Sequence, residues 1–172
     1  MGREDVRIAN EDPLRYEDDL VDAYFAAYKG LEEYAYRERG DVARYLRWLR
    51  GRCPEGVFLA FDNFRAVGMI ACDPTYNQAT DDRMGELHEL FVHPAWQGRG
   101  IGRRLFETGL EFLSQRGCTR YGLWVGEGNR AAQEMYRRFG FEPVGSVGVW
   151  LRMERREPWG SVRSHGTERE QR

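Results

Sequence analysis

Gln97-Gly98-Arg99-Gly100-Ile101-Gly102 stands between an apolar run and a long amphipathic segment. Glycines at 100 and 102 leave the first-turn amides of a following helix bare of side chains. Such amides, with the helix dipole behind them, bind anions. The dipole contributes about 0.3–1 kcal/mol, and more in a partly buried site. A pyrophosphate is the natural occupant, and Arg99, Arg103 and Arg104 lie beside it as further phosphate partners. The spacing is Q-x-x-G-x-G. The dinucleotide fingerprint G-x-G-x-x-G fails here, because its third glycine falls on Arg103.

A second turn, Gly126-Glu127-Gly128-Asn129-Arg130-Ala131, does spell G-x-G-x-x-A after an apolar run. The acidic residue expected about 20 positions on is missing, and too little chain follows for a dinucleotide fold. Asn129 reads equally well as a helix N-cap, and Gly140 as the left-handed residue that ends the helix.

These turns need strands before them and helices after them, and the hydrophobic pattern supplies both. A short strand at 6–9 leads through Glu11-Asp12-Pro13 into a helix with Leu14, Val21, Tyr24, Phe25 and Tyr28 at helical spacing. Asp41 caps a second helix that Gly51 stops. Residues 57–61 and 66–72 form a hairpin about Asp62-Asn63, 73–83 a loop, and 85–92 a strand ended by His93-Pro94. A helix then runs to Arg116, a strand spans 121–125, a helix 129–139, and a strand pair 141–144 and 147–153. The order β-α-α-β-β-β-α-β-α-β-β predicts a single α/β (α+β) domain over residues 1–155. Its sheet is mixed and mostly antiparallel, with helices on both faces. Residues 156–172 are polar and aperiodic, and are expected to be a disordered tail.

The two motifs together resemble the GCN5-related N-acetyltransferase (GNAT) superfamily. Its mark is a strand, then [Q/R]-x-x-G-x-[G/A] opening a helix: here Glu86–Pro94, then Gln97–Gly102. Downstream comes N-x-x-A-x-x-x-Y-x-x-x-G-F, met by Asn129, Ala132, Tyr136, Gly140 and Phe141 at every spacing. The resemblance is clear over residues 57–153.

It implies that the strands at 85–92 and 121–125 splay into a V that holds acetyl-CoA as co-substrate. The pyrophosphate would meet Gln97, Gly98, Arg99, Gly100, Ile101 and Gly102. The pantetheine would run along Leu90, Phe91 and Val92 and touch Asn129, with Tyr136 near the sulfur. The implied reaction is direct transfer of the acetyl group to a primary amine of a small molecule. The same fold also serves acetylation of a protein N-terminus or lysine, or non-catalytic acyl-CoA binding. The amine must be neutral to attack, so a base takes its proton. An amide of Leu90, Phe91 or Val92 can stabilise the oxyanion, and Tyr136 can protonate the leaving thiolate. Tyr136 also fits as one residue of an apolar helix face with Met135 and Phe139.

Glu86 is the first choice for the base, with His88, Glu89 or a water chain as alternatives. Strict strand alternation sets Glu86 and His88 on one face and Glu89 on the other; a bulge would scramble this. Tyr24, Tyr28, Tyr34 and Tyr36 are candidates for the acceptor wall or for core.

Composition limits the other classes. The 172 residues carry 26 basic and 28 acidic side chains, net −2, which argues against a nucleic-acid partner. Residues 1–41 hold net −6, an excess that suits a cationic acceptor or simply a soluble surface. Lys29 is the only lysine, so no Walker P-loop can be written after it. Cys53, Cys72 and Cys118 form no C-x-x-C pair, so neither a metal site nor a disulfide framework is expected. No apolar run approaches the roughly 18 residues of a membrane helix, and residues 1–5 do not begin a signal segment. A cytoplasmic enzyme without metal is expected, with a homodimer the common arrangement in the family it resembles.

Overall fold

The computed structural model describes residues 6–160. Seven strands form one sheet in the order β1-β2-β3-β4-β5-β7-β6. They are β1 (Arg7–Asn10), β2 (Val57–Asp62), β3 (Arg65–Asp73), β4 (Met84–Val92), β5 (Arg120–Gly126), β6 (Glu142–Val147) and β7 (Trp150–Arg155). Every neighbouring pair is antiparallel except β4–β5. This is the mixed, mostly antiparallel sheet expected from the sequence.

Four helices cover it: α1 (Glu17–Ala27), α2 (Arg39–Arg52), α3 (Ile101–Gln115) and α4 (Arg130–Arg138). Strand alternation feeds two cores. In β2, Val57, Leu59 and Phe61 face α1 and α2, which answer with Leu20, Val21, Tyr24, Val42, Leu46 and Leu49. Ala60 and Phe58 of the same strand face α3, whose Ile101, Leu105, Leu110 and Leu113 recur at helical spacing. Phe106 joins α3 to α4 through its ring contacts with Tyr136, Phe139 and Phe141 at 5.1, 4.8 and 5.5 Å. Each such pair contributes about 0.5–1.5 kcal/mol beyond area burial.

Three boundaries differ from expectation. α2 begins at Arg39, so Asp41 lies inside its first turn, paired with Arg44 at 3.1 Å, rather than at the cap. A carboxylate there still favours the helix through the dipole. α2 passes through Gly51 and stops at Cys53, which is extended (φ −156°, ψ 92°) because Pro54 follows and bars the helical conformation. The last hairpin turns at Gly148 (φ 57°), so β6 and β7 shift along the chain. Residues 31–40, to which the sequence pattern assigns no element, hold a 3₁₀ turn at Glu32–Tyr34 and the start of α2.

Past β7, Trp159 packs its ring on Phe139 at 5.8 Å and donates its backbone N–H to the Tyr121 hydroxyl at 3.0 Å. Residues 161–172, the rest of the expected tail, lie outside the described residues. Among the described residues no helix is long and apolar enough to cross a membrane.

Candidate active site

β4 and β5 stay in register only from Met84↔Arg120 to Leu87↔Leu123. Beyond that, β4 continues with β3 as far as Val92↔Gly68, and β5 continues with β7 as far as Gly126↔Trp150. The strands part, and a cleft of about 1350 Å³ fills the gap. This is the V expected between 85–92 and 121–125.

A β-bulge sits where they part. Ala71 of β3 faces Glu89 while Cys72 faces Leu87, so His88 is one residue too many. A bulge bends its strand and shifts side-chain parity. Leu87, Leu90 and Val92 pack toward α3. His88 and Glu89 both turn toward α1 and α2, where His88 meets Trp48 at 5.0 Å and Glu89 accepts a hydrogen bond from Tyr28 at 2.8 Å. Strict alternation, which separates His88 from Glu89, is therefore overturned. Past the bulge the ladder is regular. The His93 N–H donates to Val67 O of β3 at 2.8 Å, so by alternation the Leu90 and Val92 amides face the gap. Phe91's amide faces β3, which removes it from the expected oxyanion donors.

At one end of the gap lies the glycine turn. Gly98 (φ 75°) and Gly100 (φ 76°) are left-handed, a conformation that glycine adopts without strain. Gly100 occupies the N-cap position of α3. The N–H groups of residues 98–103 have no acceptor among the described residues. A Cβ on Gly98 or Gly100 would meet nothing within 4 Å, and one on Gly102 only Val92 Cγ2 at 3.8 Å. Packing does not demand these glycines; they leave a bare surface. Gln97 Nε2 donates to Val92 O at 2.9 Å and ties the turn to the strand end. Leu90, Phe91, Val92, Gln97, Gly98, Gly100, Ile101, Gly102, Asn129 and Tyr136 all line the cleft, as does Arg103. Arg99 does not; its guanidinium turns back to Ala95 O at 3.4 Å.

Asn129 caps α4, its Oδ1 accepting from the Ala132 N–H at 3.3 Å. Tyr136, two turns on, packs against Phe106 and Phe141 but presents its hydroxyl without a hydrogen bond among the described residues. Burial, and then the charge of Glu89, push its pKa above the usual phenol range. Core packing and a place on the cleft wall coincide in this one residue.

Glu89 is the carboxylate on the cleft wall. Burial lifts its pKa to about 7, against the lowering pull of hydrogen bonds from Tyr28, Tyr45 and the Leu90 N–H. Tyr28 and Tyr45 are themselves raised well above the usual phenol range, first by burial and then by Glu89. The group therefore changes charge near neutral pH, where a general base is most useful.

Glu86, the first choice from sequence, is not on the wall. It is 2% exposed. Its Oε1 and Oε2 accept from Arg152 Nη1 and Nη2 at 2.6 and 2.9 Å, and Asn77 Nδ2 adds a bond to Oε2 at 2.9 Å. A carboxylate held by a bidentate guanidinium is geometrically spent.

The second glycine turn also has a protein occupant. A Cβ on Gly126 would lie 2.6 Å from the Tyr34 ring, and one on Gly128 2.7 Å from its hydroxyl. Tyr34 accepts the Gly128 N–H at 2.8 Å and stacks edge-on to Trp150 at 5.6 Å. These glycines make room for a tyrosine that bridges the α1–α2 segment to β7 across the cleft. Tyr24, Tyr28 and Tyr36 line the same wall.

A family model described as the acetyltransferase (GNAT) family matches residues 16–141. The chain belongs to the GNAT acetyltransferase family. An uncharacterized N-acetyltransferase of Methanocaldococcus jannaschii is 38% identical over 152 residues, covering 88% of this chain and 66% of the relative. The chain thus spans just under two thirds of that relative's length. The crystal structure of PH1933 from Pyrococcus horikoshii superposes with a TM-score of 0.80 at 36% identity, over 89% of this chain and 99% of that one. A PaiA N-acetyltransferase from Thermoplasma acidophilum, in complex with coenzyme A, shares the fold at a TM-score of 0.68 and 17% identity, over 88% and 98% of the two chains.

Family membership was legible in the two motifs. Glu89's place on the wall was not, because it depends on a bulge seen only when β4 is set against β3. Arg152 and Tyr34 left no local signal, since their partners lie 66 and 94 residues away.

Proposed function

We propose that this GNAT protein transfers the acetyl group of acetyl-CoA directly to a primary amine of a small molecule. The observation that carries this reading is the gap beyond Leu87↔Leu123, with unpartnered amides at one end and Glu89 at the other. The diphosphate of coenzyme A fits the N–H groups of residues 98–103. The pantetheine would take the place of the missing strand beside Leu90 and Val92. Glu89 accepts a proton from the acceptor ammonium. The neutral nitrogen attacks the thioester carbonyl, whose oxygen becomes an anion that the Val92 amide can bind, the Leu90 N–H being held by Glu89 Oε1 at 3.2 Å. One such donor contributes about 2.7–4 kcal/mol. The C–S bond breaks as the intermediate collapses, Tyr136 gives its proton to the thiolate, and the nitrogen sheds its remaining extra proton, which restores the Tyr136 phenol.

Tyr34 favours a small acceptor over a polypeptide. Its bridge to Gly128 and Trp150 closes the side on which an extended chain would have to lie. Glu33 and Glu89 are the only acidic residues on the wall, and they stand among tyrosines, which suits an amine that arrives as a cation.

The test is release of free thiol from acetyl-CoA in the presence of a panel of small amines and short peptides. Thiol release with small amines above the hydrolysis background is expected. Release with peptides alone would overturn the small-molecule assignment, and no release with any amine would overturn catalysis.

A further inference from the structure

Beside Glu89, the bulge residue His88 forms an arrangement that the transfer chemistry does not use. Its side chain is 9% exposed, and the residue is part of the cleft lining. Trp48 and Tyr76 flank the imidazole nearly at right angles, at 5.0 and 4.6 Å (76° and 86°), and both keep much of their own surface exposed. Nε2 is buried, has no hydrogen-bond partner among the described residues and lies 3.7 Å from Asp73 Oδ2.

Asp73 is fully buried and fixed. Its Oδ1 takes the Thr75 N–H and hydroxyl at 2.9 Å each, and its Oδ2 takes Arg52 Nε at 2.8 Å. Burial raises its pKa, and these donors outweigh that and hold it below the ordinary value, so it is an anion. A bare lone pair on Nε2 would face this carboxylate. The proton therefore sits on Nε2, and Nδ1 carries the lone pair.

We propose that His88, oriented by Asp73, recognises the acceptor beyond its amine: Nδ1 accepts a hydrogen bond from a neutral N–H or O–H donor a few atoms from the acceptor nitrogen. The inference rests on reading the cleft as the transfer site. Because the bulge sets His88 and Glu89 side by side on one face, the recognised donor lies close to the reacting amine.

The surrounding charges select a neutral group. Asp73 lies 3.7 Å from Nε2, the charges of Arg52 and Arg152 also act on the ring, Tyr76 packs against it, Glu89 is its neighbour in the strand, and the Tyr45 hydroxyl donates to the His88 carbonyl. Burial lowers the imidazole pKa to about 4; Asp73 opposes this, and Arg52 and Arg152 add to it. Surroundings that keep the imidazole uncharged also disfavour a second ammonium. A carboxylate finds no donor on Nδ1.

Two measurements test this. The first is the nitrogen-15 spectrum of the histidines in the full-length protein, with His88 assigned by its loss in His88→Gln. An uncharged ring protonated on Nε2 is expected from pH 7 down to pH 5. A ring protonated on Nδ1 overturns the proposal. In Asp73→Asn the Nε2 preference should weaken, whereas a purely structural Asp73 would leave the tautomer unchanged.

The second is calorimetric binding of phenylalaninamide and phenylalanine methyl ester to the coenzyme A complex. These probes share amine and ring and differ in whether the carbonyl carries an N–H donor group, –NH2, or a methoxy group that cannot donate. The amide should bind about tenfold tighter, and His88→Ala, its fold checked by melting temperature, should bring the ratio near one. Equal binding to the wild type, a ratio unchanged by the substitution, or no binding of either probe at millimolar concentration overturns the subsite. If coenzyme A itself fails to bind in the same calorimeter, the acetyl-transfer reading falls with it. If coenzyme A binds and only the probe ratio is flat, the subsite alone falls.

Discussion

Arg152 reaches Glu86 across Gly122, a residue of β5 that has no side chain. In the sheet, Gly122 pairs with Glu86 on one side and Glu154 on the other, and a Cβ on Gly122 would lie 2.0 Å from Arg152 Nη2. The guanidinium, 12% exposed and stacked under Trp124 at 5.4 Å, thus clamps β7 to β4 over β5, one residue before the two strands separate. Asn77 ties the 73–83 loop to the same carboxylate. Glu86 is a positioning residue at the root of the V.

Glu86→Gln should therefore act on stability. Removing one partner of a buried pair costs about 3–5 kcal/mol, a fall in melting temperature on the order of 10 °C. The position of the pH–rate profile should stay where it is in the wild type. Gly122→Ala should destabilise by the same route. Thermal denaturation and a pH series on each variant check this; a displaced profile in Glu86→Gln would return the base to Glu86.

Glu89→Gln should reduce turnover by about 10²–10⁴-fold. In the wild type, kcat/KM should rise with pH through about 7 as Glu89 ionises, and that limb should vanish in the variant. Stability should move oppositely. The folded pKa lies above the ordinary 4.5, so this group's contribution declines as pH rises from 4.5 to about 7. Glu89→Gln should thus melt higher than the wild type at pH 8 and about equally at pH 4. Melting curves at the two pH values decide it.

Tyr136→Phe keeps the ring on Phe106 and removes only the hydroxyl. Turnover should drop at least about tenfold while acetyl-CoA affinity stays level, as expected when an interaction made only in the transition state is lost. Steady-state kinetics beside equilibrium binding will show whether that split occurs; unchanged turnover removes the acid role.

Gly102→Ala separates fold from ligand. Its Cβ would rest at ordinary contact distance, 3.8 Å, from Val92 Cγ2, so the melting temperature should barely change. The methyl would sit among the bare amides, and KM for acetyl-CoA should rise about tenfold or more. A normal KM in a normally folded variant would place the diphosphate elsewhere.

The features that sequence reveals are those whose cause is local. Gly98 and Gly100 need left-handed backbone, Asn129 caps its own helix, and Gly140 ends it at φ 82°. Each requirement is met within a few residues, so residue type and spacing disclose it. Glu86 misled because a carboxylate on the right strand is visible, whereas the arginine that consumes it comes from β7. Gly126 and Gly128 look like a phosphate turn because glycine reports only that space is needed. That Tyr34 fills it follows from packing between distant segments.

The surplus residue at 88 leaves the two halves of β4 out of phase. The lower half holds the sheet together through Gly85 and Leu87, while the upper half faces the reactants with His88 and Glu89. Gain or loss of one residue at this joint would turn a different set of side chains of the upper half toward the cleft and leave the packing of Gly85 and Leu87 alone. A scaffold divided in this way can exchange its chemical repertoire without redesign of its foundations.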